Sequence, residues 1–193
     1  MKTMIIRSII RSLAALLLLS LTVSMAACKG AETELDTTAP TAPTAGETTQ
    51  SPEDESALDF TVTDGEGKQV RLSDFFGKPI VLNFWASWCP PCKAELPDFE
   101  DAYKQYEGKV TFLMVNVTDN QRETVEVAKS YVSSQGYTFP VYFDTEYEAS
   151  YKFGISSIPQ TFFLNADGQV VAKATGLISA SQLEEGIGMI YSE

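Results

Sequence analysis

The sequence predicts an α/β layer fold with a central mixed sheet flanked by helices, and three observations carry that prediction. Ile80–Trp85 is apolar on both faces, as a strand covered on both sides is, and residues 110–117 read as a second buried strand. The stretches that follow them place apolar side chains at helical spacing. Residues 161–165 and 169–174 flank Ala166-Asp167-Gly168, the pattern of an antiparallel hairpin near the C-terminus.

The chain has 193 residues, enough for one folded domain with appendages. Residues 1–27 read as a signal peptide: Lys2, Arg7 and Arg11 form a basic start, and residues 13–27 carry no charge. That uncharged run is short for a membrane-spanning helix, and it ends in Met25-Ala26-Ala27-Cys28. This end resembles the lipobox of bacterial lipoproteins, with Met25 where that motif has Leu, and the resemblance makes Cys28 the lipidated first residue of the mature protein. Residues 28–58 are Thr, Ala, Pro, Glu and Asp with almost no large apolar side chain, so they cannot bury enough to order themselves. Their prolines and like charges suit an extended, acidic tether that holds a domain of residues 59–193 away from the membrane. The formal charge of −12 argues against nucleic acid as a partner, because that interaction relies on clustered Lys and Arg.

Within the domain, residues 60–62 and 69–72 flank Asp64-Gly65-Glu66-Gly67 and predict an N-terminal β-hairpin. Residues 72–79 form a turn into the strand Ile80–Trp85. After Cys89 a helix carries Cys92, Glu95, Leu96, Phe99, Ala102, Tyr103 and Tyr106 at helical spacing as far as Gly108, with a kink expected at Pro97 that frees the Lys93 carbonyl. A second helix is expected over about 122–134, with Val125, Val127, Ala128, Tyr131 and Val132 apolar. A strand at 140–143, a short helix at 146–153, the hairpin and a last helix at about 179–190 complete the order. Ser179 or Ser181 caps that last helix, and Leu183, Ile187 and Ile190 form its inner face.

The chemistry centres on Asn83-Phe84-Trp85-Ala86-Ser87-Trp88-Cys89-Pro90-Pro91-Cys92-Lys93. Two cysteines three apart at a helix N-terminus make a reactive dithiol, because unpaired backbone N–H groups and the helix dipole favour thiolate. A zinc site needs further cysteines or histidines, and the chain has no His. Covalent haem attachment needs His at position 93, which is Lys. The alternative is a purely structural disulfide, against which stands the little chain entropy that so short a loop removes. Pro90 and Pro91 have no N–H, which leaves the Cys92 amide as the donor to the Cys89 sulfur. A less stabilised thiolate makes the disulfide form more favourable and the protein a better reductant.

This stretch, together with Pro97, Gly77-Lys78-Pro79, Ile158-Pro159-Gln160-Thr161 and Asn165-Ala166-Asp167-Gly168, resembles the thioredoxin superfamily and, more narrowly, its membrane-anchored TlpA/ResA-type thiol-disulfide oxidoreductases. The likeness covers residues 60–190 and implies a thioredoxin-like fold, with residues 118–143 as the helix-strand insertion of this branch. It implies a cis Ile158–Pro159 bond facing the dithiol and an exposed Ile158 backbone for an extended substrate. It makes Cys89, Cys92, Glu95 and Pro159 the catalytic set, with Trp88, Pro90, Pro91 and Ile158 as substrate contacts. Thioredoxins carry Asp where this chain has Asn83, so proton handling at Cys92 passes to Glu95.

The resemblance further implies no metal or organic cofactor, a monomer, protein disulfides as substrates and a membrane protein that resupplies electrons. Candidate substrates are apocytochrome c, a methionine sulfoxide reductase or misoxidised exported proteins. The runner-up readings are a disulfide-forming oxidase, a thiol peroxidase and a non-catalytic binding lipoprotein. Against the peroxidase stand the domain's arginines, Arg71 and Arg122, both distant from Cys89 in sequence.

Overall fold

The computed structural model describes residues 58–192, in which one seven-stranded mixed sheet carries four helices. Cys28 and the expected signal peptide and tether, as far as residue 57, lie outside the described residues. The strands are β1 (Thr61–Thr63), β2 (Gln69–Arg71), β3 (Ile80–Trp85), β4 (Thr111–Asn116), β5 (Val141–Phe143), β6 (Gln160–Leu164) and β7 (Val170–Thr175). The helices are α1 (Pro90–Gln105), α2 (Val125–Gln135), α3 (Glu148–Lys152) and α4 (Ala180–Ile190). The spatial order is β2-β1-β5-β4-β3-β6-β7; β3, β4 and β5 run parallel, while β6 lies antiparallel to β3.

All six residues of β3 are buried, which explains why it is apolar at every position but Asn83. Alternation along the strand sends Ile80, Leu82 and Phe84 to one face and Val81 and Trp85 to the other. The first set packs with Leu72, Phe153, Phe162 and Leu164. The second packs under α1 and α4 with Leu96, Phe99, Met114, Leu183 and Ile187. Burial of each such aliphatic or aromatic side chain contributes about 1.5–3 kcal/mol, so both faces hold the sheet between layers. Asn83 falls on the α1 side by the same alternation, a polar residue inside an apolar layer.

Some boundaries differ from the sequence expectation for local reasons. The second helix begins at Val125, because Thr124 Oγ1 accepts the Val127 N–H and caps it there. The three preceding amides, of Gln121, Arg122 and Glu123, all donate to Asp119 Oδ1, which shapes a turn where helix was expected. Val127, expected on the apolar face, is exposed. The short helix starts at Glu148 because Tyr147 takes a left-handed conformation (φ 57°). Pro97 lies inside α1, which continues through it as one element. Ser179 is the cap of α4, with Gln182 completing a capping box.

Candidate active site

Cys89 is the residue at which β3 hands over to α1. It is the N-cap of the helix, and Pro90 and Pro91 fill the first helical positions, where their missing N–H groups would have had no intrahelical partner. Cys89 and Cys92 are joined as a disulfide with Cα atoms 5.3 Å apart. As the two prolines imply, the amide that reaches the Cys89 sulfur is that of Cys92, at 3.3 Å. Both cysteines are buried, with Cys89 2% and Cys92 0% exposed, so Cys89 alone offers any surface to an incoming group. Trp88, Pro90 and Pro91, on either side of it in the chain, are exposed.

The Ile158–Pro159 bond is cis, and the Ile158 carbonyl oxygen lies 3.7 Å from Cys89 Sγ. Pro159 is tied in turn to the loop between β7 and α4, because the Gly176 N–H donates to its carbonyl at 2.9 Å. Two residues further on, the Ile178 N–H donates to Glu95 Oε2 at 3.0 Å. One short loop therefore connects the Pro159 turn to the acidic residue of α1.

Glu95 is 1% exposed and lies beneath α1. Asn83 Nδ2 donates to its Oε1 at 2.9 Å and to Thr161 Oγ1 at 3.1 Å, a three-residue link that the β3–β6 register, Asn83 opposite Thr161, brings about. Burial pushes the Glu95 carboxyl up to about 7; the Ile178 and Asn83 hydrogen bonds oppose that rise and nearby Asp98 adds to it. A carboxyl that titrates near neutrality can give and take protons where an ordinary glutamate stays ionised.

A second polar cluster, bonded to the loop just before Cys89, was not legible in the sequence. Glu123 is fully buried and accepts from Ser87 N at 2.7 Å, Ser87 Oγ at 2.6 Å and Asn116 Nδ2 at 2.6 Å. It ties the loop just before Cys89 to the start of the inserted segment. Its neighbour Arg122 lies over the Trp88 indole, with the guanidinium carbon 4.4 Å from the ring centroid. Distance along the chain was thus a poor guide: Arg122 belongs to the surroundings of the dithiol, whereas Arg71 pairs with Asp59 at the start of the domain. The parallel register of β3 and β4, which sets Trp85 beside Asn116, brings residues 87 and 122–123 together, and nothing in the sequence shows that register.

Comparison with known protein families matches residues 54–173 to the AhpC/TSA family. The chain belongs to the AhpC/TSA family. Within the thioredoxin-like proteins of this AhpC/TSA family it is a thiol-disulfide oxidoreductase. It is 35% identical over 139 residues to the thiol-disulfide oxidoreductase ResA of Bacillus subtilis (strain 168), an alignment covering 72% of this chain and 75% of ResA. Among solved structures it resembles StoA from Bacillus subtilis with a TM-score of 0.59 and 31% identity, over 66% of this chain and 95% of StoA. It also resembles the exposed lipoprotein thioredoxin Etrx1 of Streptococcus pneumoniae strain TIGR4, with a TM-score of 0.58 and 30% identity over 67% of this chain and 98% of Etrx1.

Proposed function

We propose that this AhpC/TSA-family member is an extracytoplasmic reductant that opens disulfides of exported proteins through the Cys89/Cys92 dithiol. The observation that carries the reading is the Cys89–Cys92 bridge at the start of α1, with Cys89 its surface member and beside the Ile158 carbonyl. In the reduced protein the Cys89 thiolate attacks one sulfur of a substrate disulfide; a Cys89–substrate bond forms, and the other substrate sulfur leaves as a thiolate that takes up a proton. Cys92, deprotonated, then attacks Cys89 Sγ, closes the Cys89–Cys92 bond and releases the second substrate thiol. The substrate gains two electrons and two protons, and the dithiol is oxidised.

Glu95 takes the Cys92 proton in this scheme, which its titration near neutrality suits. Ile158 and the Pro159 turn offer backbone to an extended substrate segment, and Trp88, Pro90 and Pro91 border it. The absence of amide donors at Pro90 and Pro91 leaves Cys89 with the Cys92 N–H, which weakens thiolate stabilisation and favours the reducing direction.

The location is part of the proposal. The basic start, the uncharged run and Cys28 support export, cleavage and lipidation, and the likeness to a protein named an exposed lipoprotein thioredoxin supports the same arrangement. Residues 28–58 then act as the tether, and residues 59–193 as a monomeric domain. An oxidising exterior requires reducing equivalents from a membrane protein. Trapping tests the reading: Cys92→Ala is expected to leave exported proteins bound to Cys89 as mixed disulfides, releasable by dithiothreitol and absent from a Cys89→Ser/Cys92→Ala double variant. Equal capture by both variants would overturn it.

A further inference from the structure

The exchange chemistry at the dithiol makes no use of Arg122, yet its position is fixed from three directions. Its guanidinium lies on the face of Trp88, the residue before Cys89, at 4.4 Å. Its backbone N–H donates to Asp119 Oδ1 at 2.7 Å. The next residue, Glu123, is buried and bonded to Ser87 and Asn116. A guanidinium held over a ring is attracted through its charge, which does not consume its five in-plane N–H donors. Among the described residues no ion pair within 4 Å occupies them; the neighbouring Asp119 accepts three backbone amides at Oδ1 and interacts with Arg122 through its charge at longer range. Trp88 is 38% exposed, so the stack stands at the surface that a substrate meets on its way to Cys89.

We infer that Arg122 is a specificity-determining residue for exchange at Cys89, selecting substrate segments that carry a carboxylate next to the reacting cysteine. This rests on the thiol-disulfide exchange proposed above. The exposed residues on either side of Cys89 in the chain, Trp88, Pro90 and Pro91, are apolar and do not distinguish charge, and the nearby exposed cation Lys93 has its Nζ over the Tyr131 ring. The chain as a whole carries −12 and repels acidic partners, so a preference for carboxylate has to come from a local, fixed cation. Arginine suits the task better than lysine, because its planar fork can hold both carboxylate oxygens while the cation stays over the indole. The two residues come from different elements, Trp88 from the turn before α1 and Arg122 from the inserted segment. The insertion therefore contributes to substrate choice at the dithiol.

The test uses three disulfide-bonded peptides that are identical except for Asp, Asn or Lys beside the cysteine. Second-order exchange rates are measured in both directions: reduced protein with disulfide peptide, and oxidised protein with thiol peptide. For the unmodified protein the Asp peptide is expected to react about three- to tenfold faster than the Lys peptide at low salt, with the ratio shrinking as salt is added. Arg122→Gln is expected to bring the ratio close to one, Arg122→Lys to keep part of it, and Arg122→Glu to invert it. The Asn peptide reads any disturbance of Trp88 that is unrelated to charge. An Asp/Lys ratio that is the same in the unmodified protein and in Arg122→Gln would overturn the inference while leaving the exchange activity standing. Failure of all three peptides to react in either direction would overturn the exchange itself and this inference with it.

Discussion

Asn83 Nδ2 donates to Glu95 Oε1 across 2.9 Å, so a buried amide and a buried carboxyl form the polar centre of an otherwise apolar layer beneath α1. Asn83 Oδ1, on the same amide, is buried without a partner among the described residues. Ionised Glu95 uses the amide as a donor; protonated Glu95 gains an O–H, for which an amide turned over offers Oδ1 as acceptor. The pair thus has a hydrogen-bonding arrangement for each charge state, and Asp in place of Asn83 would instead set two carboxyls against each other.

The raised Glu95 carboxyl makes the stability of the fold depend on pH. Its value rises from 4.5 to about 7 on folding. Between those pH values the folded state holds a proton that the unfolded chain has lost, so stability from this group falls as pH rises through the window and levels off above it. Glu95→Gln removes that dependence. Urea unfolding of the oxidised protein is expected to show the variant gaining up to about 3 kcal/mol relative to the parent between pH 4.5 and pH 8. The same substitution is expected to slow disulfide reduction at pH 7 by at least about tenfold, through loss of the proton acceptor for Cys92. A stability difference that stays constant with pH would contradict the burial-driven shift.

Glu123 is expected to matter for stability more than its position in a loop suggests. It receives three hydrogen bonds while fully buried, and Glu123→Ala leaves the Ser87 amide and the Asn116 amide without their partner. A loss of about 3 kcal/mol is expected in urea unfolding, against about 1 kcal/mol for Ser87→Ala, which removes a single hydroxyl bond. The double variant is expected to lose less than the sum, because both changes break one network. Additive losses would show that Glu123 and Ser87 act independently.

Most of the fold, and one half of the site, could be read along the chain because local pattern encodes them. The buried run of β3, the N-capping Cys89, the prolines after it and the 3.6-residue spacing of α1 are all short-range features. Glu95 was legible for the same reason, lying one turn beyond Cys92 on the same helix. Arg122 and Glu123 were not. Their partners Trp88, Ser87 and Asn116 become neighbours only once β3 and β4 pair in parallel, and a charged residue in a loop carries no periodicity that reveals its burial. Glu100 makes the same point within α1: it is buried and accepts from the Thr138 and Phe139 amides, contacts made by the inserted segment from far along the chain.

The direction of electron flow is the central claim, and a redox titration of the Cys89–Cys92 couple tests it most directly. Cys89 has the Cys92 amide as its donor, at 3.3 Å, because the two prolines supply none, and this should keep its thiolate weakly stabilised and the disulfide favoured. A midpoint potential at or below about −220 mV, in the range of reducing thioredoxin-type proteins, is the expected result. A potential near about −120 mV, that of strong disulfide-forming oxidants, would contradict it.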